Sequence, residues 1–191
     1  MKYSSGFKIW HWLNAIIILG LLGTVFLRKT FLSYRENAEI LLQKLAEIGV
    51  TVTLEQAKVL AKAIREPMWE WHIYLGYALA FLVIYRIVLY FQGAAKKEKF
   101  ATLSLHKKGV ESLYYILYAS LFFMSITGLV MEFHELLGIS KELSHDIKEL
   151  HELVFNVILV FVPLHIAGVI IAENREDKGI ISELLHCEKK E

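Results

Sequence analysis

Four of the eight histidines lie within or at the ends of long apolar runs: His11, His72, His151 and His165. An ionisable side chain at membrane depth is costly and is kept for a function. His151 and His165 bracket one run, "HELVFNVILVFVPLH", and stand fourteen residues apart. On a helix that is about 21 Å along the axis and nearly four full turns, so both rings leave one face to within about 40°. A zinc ion needs each ligand about 2 Å away, so these two cannot share one ion. Each can serve a separate centre. Two imidazoles on opposite sides of a haem iron leave no open position, which suits electron transfer rather than oxygen binding.

The elements that carry these histidines follow from composition. The chain has 191 residues, which fits one unit, and 55% of them are hydrophobic. That exceeds the roughly 45–50% of an ordinary soluble domain. The formal net charge is +1, so there is no nucleic-acid footprint. Four segments are long enough to cross a bilayer, which takes about 20 apolar residues: about 10–27, 69–91, 113–133 and 150–172. Lipid gives the backbone no partners, so each is expected to be a helix. The fold expected is an all-α membrane protein, a four-helix transmembrane bundle forming a single domain over 1–191. Lys2 and Lys8 precede the first apolar run as in a signal peptide, but "VFLRKTF" offers no small-residue cleavage site, so that run reads as a retained span.

Orientation follows from the basic residues. The connection 92–112 carries five lysines; 134–149 carries two, outnumbered by acids. Positive-inside counting makes 92–112 cytoplasmic, and both termini with it. Arg28 and Lys29 disagree mildly, but they open a long connection that counts for less. Depth then pairs the histidines. His72 and His151 belong to the outer level, and His11 and His165 to the inner one. Three helices thus supply two ligands at each of two heights, the arrangement that holds two haems stacked across a bilayer. His145, about 9 Å beyond His151 along a continuing helix, is the rival for the outer iron. His106, His134 and His186 fall in loops or the tail and read as interfacial or solvated.

Between the first two spans, about 30–66, the pattern is helical again. Ile40, Leu41, Leu45 and Ile48 keep helical spacing, with Gly49 as a stop. Thr53 with Gln56 reads as a capping box for "LEQAKVLAKAIRE", which Pro67 is expected to end. The result is an extra periplasmic helical hairpin, read either as a membrane-surface cap or as a partner-docking platform. After Gly179 the tail reads as a short cytoplasmic helix.

Several residues around the histidines suit a macrocycle. Gly76 follows His72 by four and Gly168 follows His165 by three, and a small residue lets a flat ring approach. The other reading of these glycines, as of Gly20, Gly23 and Gly128, is helix packing. Arg86, fourteen after His72, returns to its face at the inner level. It either snorkels or pairs bidentately with a haem propionate. Lys8, one turn before His11, has the same options. Pro163 is expected to kink span four. Trp10, Trp12, Trp69 and Trp71 read as belt residues that also flank the pockets. The lone Cys187 excludes an internal disulfide and a cysteine-held iron–sulfur cluster, and the absence of C-x-x-C-H excludes covalent haem.

Taken together, "KIWHWLNAI", "WHIYLGYALAFLVIYRI" and "LHELVFNVILVFVPLHIAG" resemble the bacterial cytochrome b561 family, which includes the b subunits of nickel–iron hydrogenases and formate dehydrogenases. That family typically has arginine near Lys8. The resemblance covers the four spans and not the 30–66 insert. It implies a multi-pass inner-membrane protein with two b-type haems that exchanges electrons with quinone. It places haem ligation on His11, His72, His151 and His165. Partners implied are membrane lipid, quinone, and a periplasmic redox protein such as a c-type cytochrome, a hydrogenase or a dehydrogenase; a homodimer is also open. One stand-alone type of this size resembles the chain and passes electrons from superoxide to ubiquinone. A basic outer surface would steer that anion, yet residues 28–67 carry only seven bases against five acids. A third reading is a non-redox membrane protein. Polar groups near the inner end that could meet a quinone are Asn14, Lys107, Lys108, Glu111 and Tyr114.

Overall fold

The structure, a computed structural model, describes residues 3–93, 100–175 and 178–185. Lys2, three of the five lysines of the 92–112 connection, His186 and Cys187 lie outside the described residues. Six α-helices follow in order: α1 Ser5–Lys29, α2 Tyr34–Glu47, α3 Leu54–Phe91, α4 Leu105–Glu132, α5 Lys141–Asn174 and α6 Ile180–Leu185. Among the described residues there is no strand. Helices α1, α3, α4 and α5 are each long and apolar enough to cross a membrane, and they cover the four expected spans but for Phe133, which caps α4. Their outward side chains fit that role. Phe81, Ile84, Leu153 and Val160 are all more than half exposed, an apolar surface that water would penalise and hydrocarbon does not.

The chain divides into two compact units, residues 1–15 with 77–191, and residues 16–76. Helices α1 and α3 contribute to both. In the first unit α4 packs along α5, and α6 returns to α5. Trp10 of α1 is buried, and its indole N–H donates to the Leu82 carbonyl of α3 at 2.9 Å. Gly6 sits so close to α3 that a Cβ there would lie 3.1 Å from Tyr85 Oη. The short α6 predicted after Gly179 is present. The Glu173 carboxylate accepts from the Gly179 and Ile181 amides, at 2.9 and 3.1 Å, satisfying donors at its N-terminus.

In the 16–76 unit α2 packs against the start of α3. Ala38, Ala57 and Ala61 are fully buried, with Tyr34, Leu41 and Val52 around them. Helix α2 forms where the helical spacing predicts it, with Leu41 against the alanine cluster and Ile40 and Ile48 exposed. Tyr34 and Leu41 flank the buried Ala38 at spacings of four and three, on one face of α2. Both predicted end signals of the insert are formed. Gly49 takes φ +82°, its N–H donates to Ala46 and that of Val50 to Leu45, which is a Schellman ending. The Thr53 amide donates to Gln56 Oε1 at 2.8 Å, and the Gln56 amide to Thr53 Oγ1 at 3.3 Å. Thr53→Ala is expected to weaken the first turn of α3 by about 1 kcal/mol. Amide exchange at residues 54–57 should quicken while α2 keeps its rate.

Pro67 does not end the insert helix. It lies inside α3, which runs 38 residues without interruption. Proline removes one amide donor and crowds the preceding turn. On one side, however, stands a capped helix, and on the other a segment that hydrocarbon forces to be helical. Two helices abutting at one residue merge rather than break. Pro163 likewise lies inside α5.

Candidate functional site

The inner pair comes together. His11 of α1 and His165 of α5 lie in one unit with ring centroids 6.2 Å apart and planes at 68°. Both rings are half-buried. Phe161, one turn before His165, stacks on it at 5.6 Å and 11°. Tyr114 of α4 meets its edge, with Oη 3.4 Å from Nδ1. Phe7 lies parallel to the His11 ring and Trp12 edge-on to it. Trp12 is itself held by an indole N–H donated to the Leu184 carbonyl of α6.

The separation is chemically informative. Two imidazole–metal bonds of about 2 Å, with about 1.1 Å from each nitrogen to its ring centre, amount to about 6 Å between centroids. The observed spacing therefore fits one metal between two rings. Among the described residues no three of His, Cys, Asp and Glu converge as the ligands of a bare ion would. Two imidazoles at this spacing suit an iron whose other positions a porphyrin would fill.

Arg86 supplies a second test. It is only 9% exposed, which sets aside the snorkelling alternative. Its guanidinium carbon lies 5.3 Å from the ring centres of Phe7 and Trp10 and 5.0 Å from that of Tyr118. One terminal nitrogen reaches Tyr118 Oη at 3.5 Å, and Nε has no partner. Aromatic faces stabilise the cation but do not neutralise it. A buried guanidinium with an unmet donor fits an anionic group such as a propionate. Lys8, at 3% exposure, is a second cation buried in this unit. Asn14, one turn beyond His11, is also buried, and its Oδ1 has no partner.

The outer histidines belong to different units, each with its own neighbours. His72 of α3 stacks on Trp69 at 5.1 Å and 7°, and its Nδ1 is 2.7 Å from Thr24 Oγ1. His151 of α5 has Nδ1 2.7 Å from Thr127 Oγ1 of α4. A Cβ added to Gly128 would sit 3.7 Å from His151 Cε1. His145 is exposed beside Glu149 on the first turns of α5.

The glycines now separate. A Cβ at Gly20 would meet Leu75 Cδ1 at 3.0 Å, so that glycine serves helix packing. At Gly76 and Gly168 it would meet no protein atom within 4 Å. The same open space lies at Gly23, which has no histidine one turn before it, so openness alone does not distinguish the two readings of Gly76 and Gly168.

Thr24 and Thr127 escape a reading by residue type, because a hydroxyl in a span ordinarily bonds its own helix. Helix rise offers one signal: Thr24 follows His11 by thirteen residues, about 20 Å of helix, which matches it to the level read for His72 in the sequence. The family model described as prokaryotic cytochrome b561 matches residues 2–186. No curated protein and no solved structure matches the chain.

Proposed function

This chain belongs to the prokaryotic cytochrome b561 family, and from that premise we propose that it carries electrons through two b-type haems between a periplasmic redox partner and quinone in the inner membrane. Membrane electron transfer on b-type haem follows from the family and sets aside the non-redox reading. The observation that supports haem ligation on this chain's own residues is the 6.2 Å spacing of the His11 and His165 rings.

Bound haem supplies a reversible one-electron couple. The chain's own residues do the holding. His11 and His165 grip the inner iron from two helices. Phe161 and Tyr114 keep the His165 ring from turning. Arg86 and Lys8 receive the propionate charge in a place where an unpaired anion would be costly. Depth read along the sequence supports His72 and His151 as the outer ligands, and Gly76 and Gly168 each follow a proposed ligand by one turn. Positive-inside counting supports cytoplasmic termini and sets the α2–α3 insert on the periplasmic side, where a docking partner would approach.

Purified protein should give a reducible b-type spectrum with two haems per chain by pyridine haemochrome. A stoichiometry near zero would end the proposal, and a value of one would confine it to the inner pair. A second reading, superoxide as donor, gains from one feature. The Arg28 guanidinium lies 5.8 Å from the centre of the Trp69 ring that stacks on His72, and Arg35, Lys62 and Arg65 gather round Tyr34 at 5.2–5.8 Å. Stopped-flow mixing of the same preparation with superoxide separates the two donors. Haem reduction no faster than disproportionation removes the second.

A further inference from the structure

Two hydroxyls fix the chemistry of two rings. Thr24 Oγ1 lies 2.7 Å from the Leu21 carbonyl oxygen and 2.7 Å from His72 Nδ1. Thr127 Oγ1 lies 2.8 Å from the Phe123 carbonyl oxygen and 2.7 Å from His151 Nδ1. A hydroxyl has one proton to give. A carbonyl oxygen only accepts, so in both cases that proton goes to the threonine's own helix. The hydroxyl then turns a lone pair toward the imidazole, and the nitrogen facing it must bear the hydrogen. Nδ1 donates in both rings, and Nε2 is the nitrogen that carries no hydrogen.

We infer that Thr24 and Thr127 are positioning residues that lock His72 and His151 into the Nδ1–H tautomer, so that Nε2 is the atom offered to the iron. The inference rests on the proposed role of these histidines as the outer ligands. Its strength is repetition: two threonines on different helices, in different units, make one arrangement with two histidines. The inner level lacks it. His165 Nδ1 stands 3.4 Å from Tyr114 Oη, and among the described residues no other acceptor takes the phenol proton. The outer ligands are held by hydroxyls anchored to the backbone, and His165 by a phenol free to donate or accept.

A hydrogen bond to the far nitrogen orients a ligating ring and raises its basicity, and such outer partners typically carry a 10–100-fold share of metal affinity. A more basic ligand favours the ferric state. Removing the acceptor should therefore loosen the outer haem and raise its potential.

The test uses the full-length protein in detergent, loaded with haem. Thr24→Val and Thr127→Val keep shape and remove the hydroxyl; Thr24→Ser and Thr127→Ser restore it. His72→Ala controls for ligation. Haem stoichiometry, a potentiometric titration and the low-temperature EPR of the ferric protein are read together. Each valine variant should bind the outer haem about 10- to 100-fold less tightly and shift its EPR signal. A tenfold preferential loss for ferric haem reads as a rise of about 59 mV. The inner haem should not move, and serine should return both signals. Valine variants with wild-type retention, potential and EPR overturn the inference while leaving ligation intact. A His72→Ala protein that keeps both haems overturns the ligand reading, and this inference with it. If one valine variant loads neither haem, the other position decides by the same criteria.

Discussion

Replacing His165 by alanine is expected to cut the haem content from two per chain to one. The ring lies 6.2 Å from that of His11, and Phe161 and Tyr114 pack against it. No other described histidine is placed to replace it in this cluster. Loss of an outer partner alone typically costs 10–100-fold in affinity, so loss of the ligand itself should cost roughly 100-fold or more. His11→Ala should delete the same spectral component, and His72→Ala the other. Each variant thereby carries its own folding control, because the surviving haem reports an intact chain. Two haems retained after His165→Ala, or the same component lost in the His165 and His72 variants, would refute the assignment of levels.

The second large effect changes sign with loading. Arg86 is buried among three aromatic rings with Nε unpartnered. Without haem that is a burden of about 1–3 kcal/mol for the unmet donor, partly offset by the rings. With haem bound, a propionate would complete the site. Breaking a buried charge pair by removing one member costs about 3–5 kcal/mol. Arg86→Met should thus leave the apoprotein at least as stable as wild type and weaken inner-haem binding by more than 100-fold, since about 1.4 kcal/mol is a factor of ten. Removal of the positive charge also disfavours the added electron, so the inner midpoint should fall. Lys8 remains as a second buried cation and limits both effects. Apo and loaded melting curves, with a titration of each haem, check the claim; equal shifts in both curves would make Arg86 a packing residue only.

Much of this was legible in the sequence, for identifiable reasons. Four spans can be read because hydrocarbon permits only one backbone solution to a lone apolar segment. The inner pair can be read because helix rise converts residue number into depth. The capping box at Thr53 and the stop at Gly49 are local, and local signals survive tertiary packing. What failed depended on contact. Helical spacing at Ile40, Leu41, Leu45 and Ile48 marks a helix but not its buried face, which runs through Ala38 while Ile40 and Ile48 are exposed. Pro67 looks like a terminator because its surroundings, not its own chemistry, decide whether a helix continues. Depth marks at most the level of Thr24; its meeting with a ring, and that of Thr127, depends on the rotation of two helices about their axes, which no spacing within one helix encodes. For Arg86 the position was legible and the aromatic cage was not, since Phe7, Trp10 and Tyr118 reach it from two other helices.

The unbroken passage of α3 through Pro67 imposes a phase rule on the insert. Ala61 and His72 are eleven residues apart, three turns plus about 20°, so the alanine seam and the imidazole ride one meridian of a single shaft. Adding or deleting one residue between them would swing the ring about 100° off its bearing toward Thr24. Length variation in this stretch is therefore quantised: steps of about seven or eleven residues keep the azimuth, and most others lose it. The insert is indexed to the ligand it precedes, as a keyed shaft is to its gear.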